Sequence, residues 1–183
     1  MIFVLCGPGG VGKGTVASRL VQRIDTLELS RSWTTRKRRQ GESEGAYVFV
    51  DMAQFKEAIA EDRFVEWAWF LDNLYGTPMP DTGVYGCDRH LLLEIDVQGA
   101  AQIKERVPAA VIIVLLPPDE EELRSRLHKR GDDDSHVRAR SLLAATEIAA
   151  AIGLGGVPII NADLDVAVDQ AAALINERIA GCA

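Results

Sequence analysis

The chain has 183 residues, 48% hydrophobic and 26% charged, which suits one buried core with small insertions rather than several independent domains. Its 27 acidic residues outnumber 20 basic ones for a net charge of −7, which argues against a nucleic-acid footprint or an anionic-membrane surface and leaves any anion to a local basic cluster. Cys6, Cys87 and Cys182 are widely spaced and form no C-x-x-C pair, which argues for reduced thiols in a cytoplasmic protein rather than a disulfide framework or zinc site; the apolar stretch 2–6 is far below the about 20 residues of a membrane span and has no basic leader.

Residues 2–6 are apolar on both faces, as a strand of a covered parallel sheet should be. They run into Gly7-Pro8-Gly9-Gly10-Val11-Gly12-Lys13-Gly14-Thr15, after which Val16, Leu20, Val21 and Ile24 recur at helical spacing. Strand, glycine-rich loop and helix in that order read as a phosphate-cradling P-loop. The glycines let backbone N–H groups turn around a polyphosphate, Lys13 adds a point charge near the β- and γ-phosphates, and the helix aims its positive end at the anion. The hydroxyl residue that normally follows the lysine and reaches Mg2+ is Gly14 here, with a hydroxyl only at Thr15. A plain Gly-rich turn is the alternative reading.

A second strand is expected at 27–29, after which residues 32–86 break the alternation and read as an inserted mixed α+β lobe. Its opening, Ser32-Trp33-Thr34-Thr35-Arg36-Lys37-Arg38-Arg39, concentrates four cations, and guanidinium forks suit a phosphate because each binds two oxygens. A solvated basic loop has the same composition. Tyr47 and Tyr75 offer hydroxyls to such a site. A strand-like stretch at 47–50 leads to a helix from Asp51, with Gln54 as a capping-box partner, and 64–70 is an aromatic strand-like run. Within it, Glu66 is either an outward strand residue or a pocket carboxylate accepting two parallel N–H bonds, the pair guanine offers through N1 and its 2-amino group and adenine lacks. Hydroxyls of Ser32 and Thr77 would then donate to the guanine O6.

A third core strand at 91–95 ends in Glu94-Ile95-Asp96, where parallel sheets place ligands. A carboxylate there holds Mg2+ through water or reads a substrate amine, unless Asp96 merely caps the following helix at 98–107. A strand at 111–116 precedes a helix at 119–129 that opens on acids and closes on His128-Lys129-Arg130 with Gly131 as stop. The charged stretch 130–135 has the character of a mobile lid. Of Arg126, Arg130, Arg138 and Arg140 around it, Arg130 and Arg140 suit phosphoryl transfer, and the others read as surface salt bridges. Asp132, Asp133 and Asp134 read as solvated. A helix at 135–152, a strand at 157–160 placed at a sheet edge by Pro158, and a helix at 163–179 complete the chain. The expected class is α/β, a parallel five-stranded P-loop sheet covered by helices, in one domain with core 1–31 and 87–183, lobe 32–86 and lid about 126–140.

Over nearly its whole length the chain resembles the guanylate kinases. The resemblance rests on the P-loop, Ser32-x-Thr34-Thr35-Arg36-x-x-Arg39-x-Gly41-Glu42, Glu66-Trp67-Ala68, Asn73-x-Tyr75-Gly76-Thr77, Glu94-Ile95-Asp96-Val97-Gln98-Gly99-Ala100, Leu116-Pro117-Pro118, Arg130-Gly131 and Asn161-Ala162-Asp163-Leu164-Asp165, in the family's order. It implies ATP-dependent phosphorylation of GMP, or dGMP, with Mg2+. It further implies that Arg36, Arg39, Tyr47 and Tyr75 bind the GMP phosphate and that Ser32, Glu66, Thr77 and Asp96 read guanine, with Glu94 in the same substrate-binding set. Lys13, Arg130 and Arg140, with Arg39, would stabilise the transferring phosphoryl group. Gly7 to Thr15 would hold ATP, Asn161 would lie near its adenine, and Thr15 and Asp96 would serve the metal. Four departures stand out: Gly14; Glu94 where the family commonly has Asp; Pro78-Met79-Pro80-Asp81-Thr82-Gly83 where it has a regular helix; and a lid one residue short. A non-catalytic binding module that uses the lobe to hold a protein, and a P-loop kinase of another phosphorylated acceptor, are the alternatives. The sequence names no protein partner.

Overall fold

Strands that are apolar on both faces can be buried only between two helical layers, and the computed structural model has that arrangement; it describes residues 1–42, 45–70, 72–79 and 88–181. Strands β1 (Ile2–Cys6), β2 (Leu27–Leu29), β7 (His90–Glu94), β8 (Val111–Leu116) and β9 (Val157–Ile160), numbered in chain order, form a parallel sheet of order β2-β7-β1-β8-β9. All five lie where the apolar runs place them, to within one residue. Phe3 and Leu5 point to one layer, with α1 (Lys13–Arg23) and α6 (Leu164–Ala180), while Val4 and Cys6 point to the other, with α3 (Val97–Arg106) and α5 (Asp134–Gly153). Pro158 sits on the edge strand β9, opposite Val114, as its missing N–H requires.

The residues between β2 and β7 build a second, mixed sheet of order β4-β3-β6-β5, from β3 (Trp33–Thr34), β4 (Val48–Phe49), β5 (Phe64–Phe70) and β6 (Asn73–Pro78). Helix α2 (Met52–Ala60) covers it, with Phe55 stacked on Phe64 at 4.6 Å and Ala58 and Leu74 buried beside them. The capping box at its start is formed, with Asp51 accepting from the Gln54 N–H at 2.8 Å and Gln54 accepting from the Asp51 N–H at 3.0 Å. Strands β3 and β6 carry no strand pattern in the sequence. The first is two residues within a basic run, and the second contains Gly76 and ends on Pro78; pairing overrides their weak propensity, β3 with β4 and β6, and β6 with β5 in the register Glu66↔Thr77. The stretch 80–87, with most of the unusual proline segment, lies outside the described residues, as do Cys87 and Cys182. Helix α4 (Glu120–Lys129) and α5 leave only residues 130–133 between them, so most of the expected lid is helical. Among the described residues, no helix is long and apolar enough to cross a membrane.

Candidate active site

The carboxyl ends of β1 and β7 open into a cleft of about 280 Å3 between the two sheets. One wall is the P-loop. Gly12 takes the left-handed conformation (φ 99°) and caps α1 with no side chain, whereas α2, α3, α4, α5 and α6 are capped by Asp51, Asp96, Asp119, Asp133 and Asp163. The first turn of α1 therefore keeps its N–H groups for a ligand. The Lys13 ammonium lies along the loop, donating to the carbonyls of Gly7 at 2.7 Å and Pro8 at 3.3 Å.

Gly7, Gly9, Gly10, Gly12, Lys13 and Gly14 line the cleft. Val11 is buried beneath it, and Thr15 is exposed on the first turn of α1 without lining it. Asn161 is also buried, its amide donating to the Val11 carbonyl at 2.8 Å, so it braces the P-loop from behind. Arg126, read from sequence as a surface salt bridge, completes that brace: it pairs with Glu122 at 2.8 Å and donates to the carbonyls of Asn161 at 2.9 Å and Val11 at 3.3 Å. That expectation is corrected by the packing of α4 against the loop, which places the guanidinium within reach of both carbonyls.

The opposite wall comes from the second sheet. Glu66 on β5 is 3% exposed, and its carboxylate accepts a short hydrogen bond from the Thr77 hydroxyl on β6; Ser32 Oγ stands 3.4 Å from Thr77 Oγ1. The three residues proposed as a guanine reader are thus one buried chain of hydroxyl, hydroxyl and carboxylate. Burial pushes Glu66 up from 4.5 to about 7, with Asp96 adding to the rise and the Thr77 hydrogen bond opposing it. Asp96 lines the cleft while capping α3, accepting from the Gly99 N–H at 2.9 Å, so the helix-cap alternative is realised as well.

Arg36, Tyr47 and Tyr75 cluster beside this chain. Arg36 lies 5.5 Å over the Tyr47 ring, and the two tyrosine rings are edge to face at 6.1 Å. Glu42, which carried no role in the sequence, organises the group: its Oε1 accepts from Arg36 at 2.6 Å and its Oε2 from the Arg39 N–H at 3.0 Å. Although burial opposes it, the Glu42 bond holds the Arg36 pKa above its usual value, and burial of Glu42 is likewise outweighed by Arg36. Burial of Tyr47, with Glu94 nearby, pushes its phenol up.

Between the walls stand Arg39, Arg130 and Arg140. Burial lowers the pKa of Arg39 and of Arg140, and in both the charge of Arg130 lowers it further. Arg140 lies directly on the P-loop, since a Cβ at Gly9 would stand 2.4 Å from its Nη1, and its buried Nε has no hydrogen-bond partner among the described residues. Asp132, expected to be solvated, pairs with Arg130 and has an oxygen 3.8 Å from Arg140 Nε. The four-residue connection folds it inward against the arginines, while Asp133 caps α5. Three mutually repelling cations with one carboxylate between them make a strongly positive gap above a loop of open N–H groups.

Two carboxylates complete the cleft. Glu94 stands by Gly14, where a Cβ would be 3.5 Å from its Oε2; burial raises its pKa and Lys13 opposes the rise. Glu147 on α5, hidden in an alanine-rich helix with no motif to mark it, lines the cleft two helical turns after Arg140; burial raises it too, against Lys13. Among the described residues no three His, Cys, Asp or Glu are grouped to hold a cation by themselves.

The Guanylate kinase family model matches residues 1–178. A guanylate kinase of Syntrophomonas wolfei is 47% identical over 150 residues, 80% of this chain and 76% of that protein. One from Caldanaerobacter subterraneus subsp. tengcongensis is 40% identical over 179 residues, 96% of this chain and 86% of its own length. Among solved structures, the guanylate kinase from Anaplasma phagocytophilum superposes with a TM-score of 0.78 at 31% identity, covering 97% of this chain and 85% of that one.

Proposed function

The chain belongs to the guanylate kinase family, and from that premise we infer that its cleft joins ATP and GMP in one enclosed site. It is an ATP-dependent nucleoside monophosphate kinase that phosphorylates GMP, giving GDP and ADP. In our reading dGMP is accepted as well, because the guanine reader contacts the base and not the sugar. The reaction belongs in the cytoplasm and uses no nucleic acid or membrane surface.

The observation that carries the residue assignment is the convergence of Arg39, Arg130 and Arg140 between an open P-loop and a buried guanine-compatible carboxylate. The P-loop N–H groups and Lys13 hold the ATP phosphates. Arg36, Arg39, Tyr47 and Tyr75 hold the GMP phosphate, with Glu42 aiming Arg36 at it. A GMP phosphate oxygen attacks the γ-phosphorus in line as the bond to the β-phosphate oxygen breaks, leaving the electron pair on ADP. The acceptor phosphate is already anionic, so no general base is required. Charge spreads over the transferring oxygens, and Lys13, Arg130 and Arg140 stabilise it there, with the buried Nε of Arg140 gaining its missing acceptor. Residues 130–133 and the second sheet move inward to exclude water.

Glu66, when ionised, accepts from guanine N1–H and the 2-amino group, while Ser32 and Thr77 face O6. Mg2+ suits the cleft carboxylates, Glu94 near Gly14 and Asp96, few enough that the nucleotide phosphates supply the remaining oxygens, while Thr15, exposed on α1 outside the cleft lining, would serve the metal only through water. When bound there it neutralises phosphate charge. The extra methylene of Glu94 reaches toward the position where the usual P-loop hydroxyl is missing. Asn161 acts on ATP through the P-loop it braces.

The test is product analysis with ATP, Mg2+ and one of GMP, AMP, CMP or UMP. We expect GDP and ADP in equal amounts with GMP and little diphosphate from the others. Equal ADP release from all four would overturn the acceptor assignment, and tight binding of GMP and ATP without transfer would mark a binding module.

A further inference from the structure

The edge of the second sheet nearest the core is finished by a helix. Among the described residues, strand β5 pairs with β6 on one side only, and along its other side runs α3. Three α3 side chains at spacing i, i+4, i+8 lie on one helix face and reach the β5 backbone. Gln98 Nε2 donates to the Trp69 carbonyl at 3.4 Å, and Arg106 Nη1 donates to the Phe64 carbonyl at 3.3 Å. Between them Gln102 makes both bonds a neighbouring strand would make, donating to the Trp67 carbonyl at 2.6 Å and accepting from the Trp67 N–H at 3.3 Å.

Alternation along β5 turns Trp67 and Trp69 outward and Glu66 and Ala68 inward, so a grip on Trp67 fixes the residue next to it. The inward side chain meets α3 at one point. Gly99 lies one turn before Gln102, and a Cβ there would stand 2.5 Å from Glu66 Oε2 and 3.0 Å from its Cδ. The helix thus holds the strand and leaves a gap of one missing side chain for the carboxylate.

We propose that Gln102 is a positioning residue for guanine recognition: its two-bond grip on Trp67, with the gap at Gly99, sets where the Glu66 carboxylate stands. The inference rests on the reading of Glu66 as the guanine reader. A grip that only protected a sheet edge would support stability and leave base choice unchanged. Inosine monophosphate separates the two roles, because it keeps N1–H and O6 but lacks the 2-amino group. A well-placed carboxylate prefers GMP, and a displaced one loses that preference.

The experiment measures kcat/KM for GMP and for inosine monophosphate, and KM for ATP, in the full chain and in Gln102→Ala, Gln102→Glu, Gly99→Ala and Glu66→Gln. Thermal unfolding of each is followed by the combined fluorescence of Trp33, Trp67 and Trp69, all in the second sheet. Gln102→Glu is the milder variant, since it still accepts from the Trp67 N–H but sets an oxygen against the carbonyl. We expect all three α3 variants to raise KM for GMP about tenfold or more and to lower the GMP-to-inosine ratio, with KM for ATP unchanged. A wild-type ratio in folded Gln102→Ala, or in Gln102→Glu should the alanine variant not fold, overturns the positioning role. A wild-type ratio in Glu66→Gln overturns instead the guanine reading beneath it.

Discussion

The two ends of the cleft are built from different materials. At the P-loop end the ligand-facing groups are backbone N–H groups around one lysine, and the side chains that matter most, Asn161 and Arg126, work from behind by bonding loop carbonyls. At the other end the cleft-lining groups are side chains brought together from either side of β3, from β5 and β6 and from the loop before β4, and partners hold two of them: Arg36 by Glu42, Glu66 by Thr77. A backbone site tolerates substitution wherever its turns survive, whereas a side-chain site fails one group at a time. Loss of a single residue should therefore separate acceptor recognition from ATP use, and only the arginines between the ends should damage both.

The largest effect is expected where the two ends meet. Arg140→Ala should lower kcat about 1,000-fold or more, by analogy with the removal of a charge-stabilising arginine from phosphoryl transfer; a fall confined to one KM would assign Arg140 to one end alone. Next, Glu66→Gln should raise KM for GMP by about 100-fold, the scale of one lost charge-assisted interaction plus one mismatched donor, with KM for ATP unmoved.

The same residue supplies a pH test. In the proposed reading it is the ionised Glu66 that accepts guanine, so kcat/KM for GMP should rise as pH passes about 7, and the wild-type minus Glu66→Gln difference should isolate that step from titration of the phosphate. Stability runs the opposite way. A carboxyl raised from 4.5 to about 7 contributes stability that is complete below the unfolded value and lost as pH climbs through the folded one, about 3 kcal/mol in all. Glu66→Gln should thus gain on the wild type in denaturant unfolding as pH rises through this window; parallel curves would contradict the burial argument. The smallest effect belongs to the P-loop end. Glu94→Asp should raise the Mg2+ concentration needed for half-maximal Mn2+-competition binding to the ATP complex, and Gly14→Ser added to it should restore the affinity; independent effects would break the proposed compensation.

The same contrast explains what could be read from the residues. Strands β1, β8 and β9 and the P-loop declare themselves because apolar runs and glycine spacing are local properties. So does the α2 capping box. Strands β3 and β6 do not, since Trp33–Thr34 becomes a strand only by pairing with β4 and with β6 far along the chain, and Asn73–Pro78, with its glycine and terminal proline, only by pairing with β3 and with its hairpin neighbour β5. Asp132 and Arg126 read as solvated in the sequence for a related reason: charge on a helix end or loop has no marked partner until tertiary packing turns it inward. Glu42 lay within a matched motif yet had no evident chemistry of its own, because its work is to hold two arginines. Glu147 carried no signal beyond its spacing of seven from Arg140.

In the proposed mechanism one buried carboxylate chooses the acceptor while a separate backbone cradle holds the donor. It is tested most directly by competition: GMP, AMP, CMP and UMP supplied together at equal concentration with limiting ATP and Mg2+, and the diphosphates resolved for the wild type and Glu66→Gln. GDP should be the dominant product of the wild type, and its share should fall sharply in the variant, with ATP affinity retained. An unchanged GDP share in Glu66→Gln would contradict it.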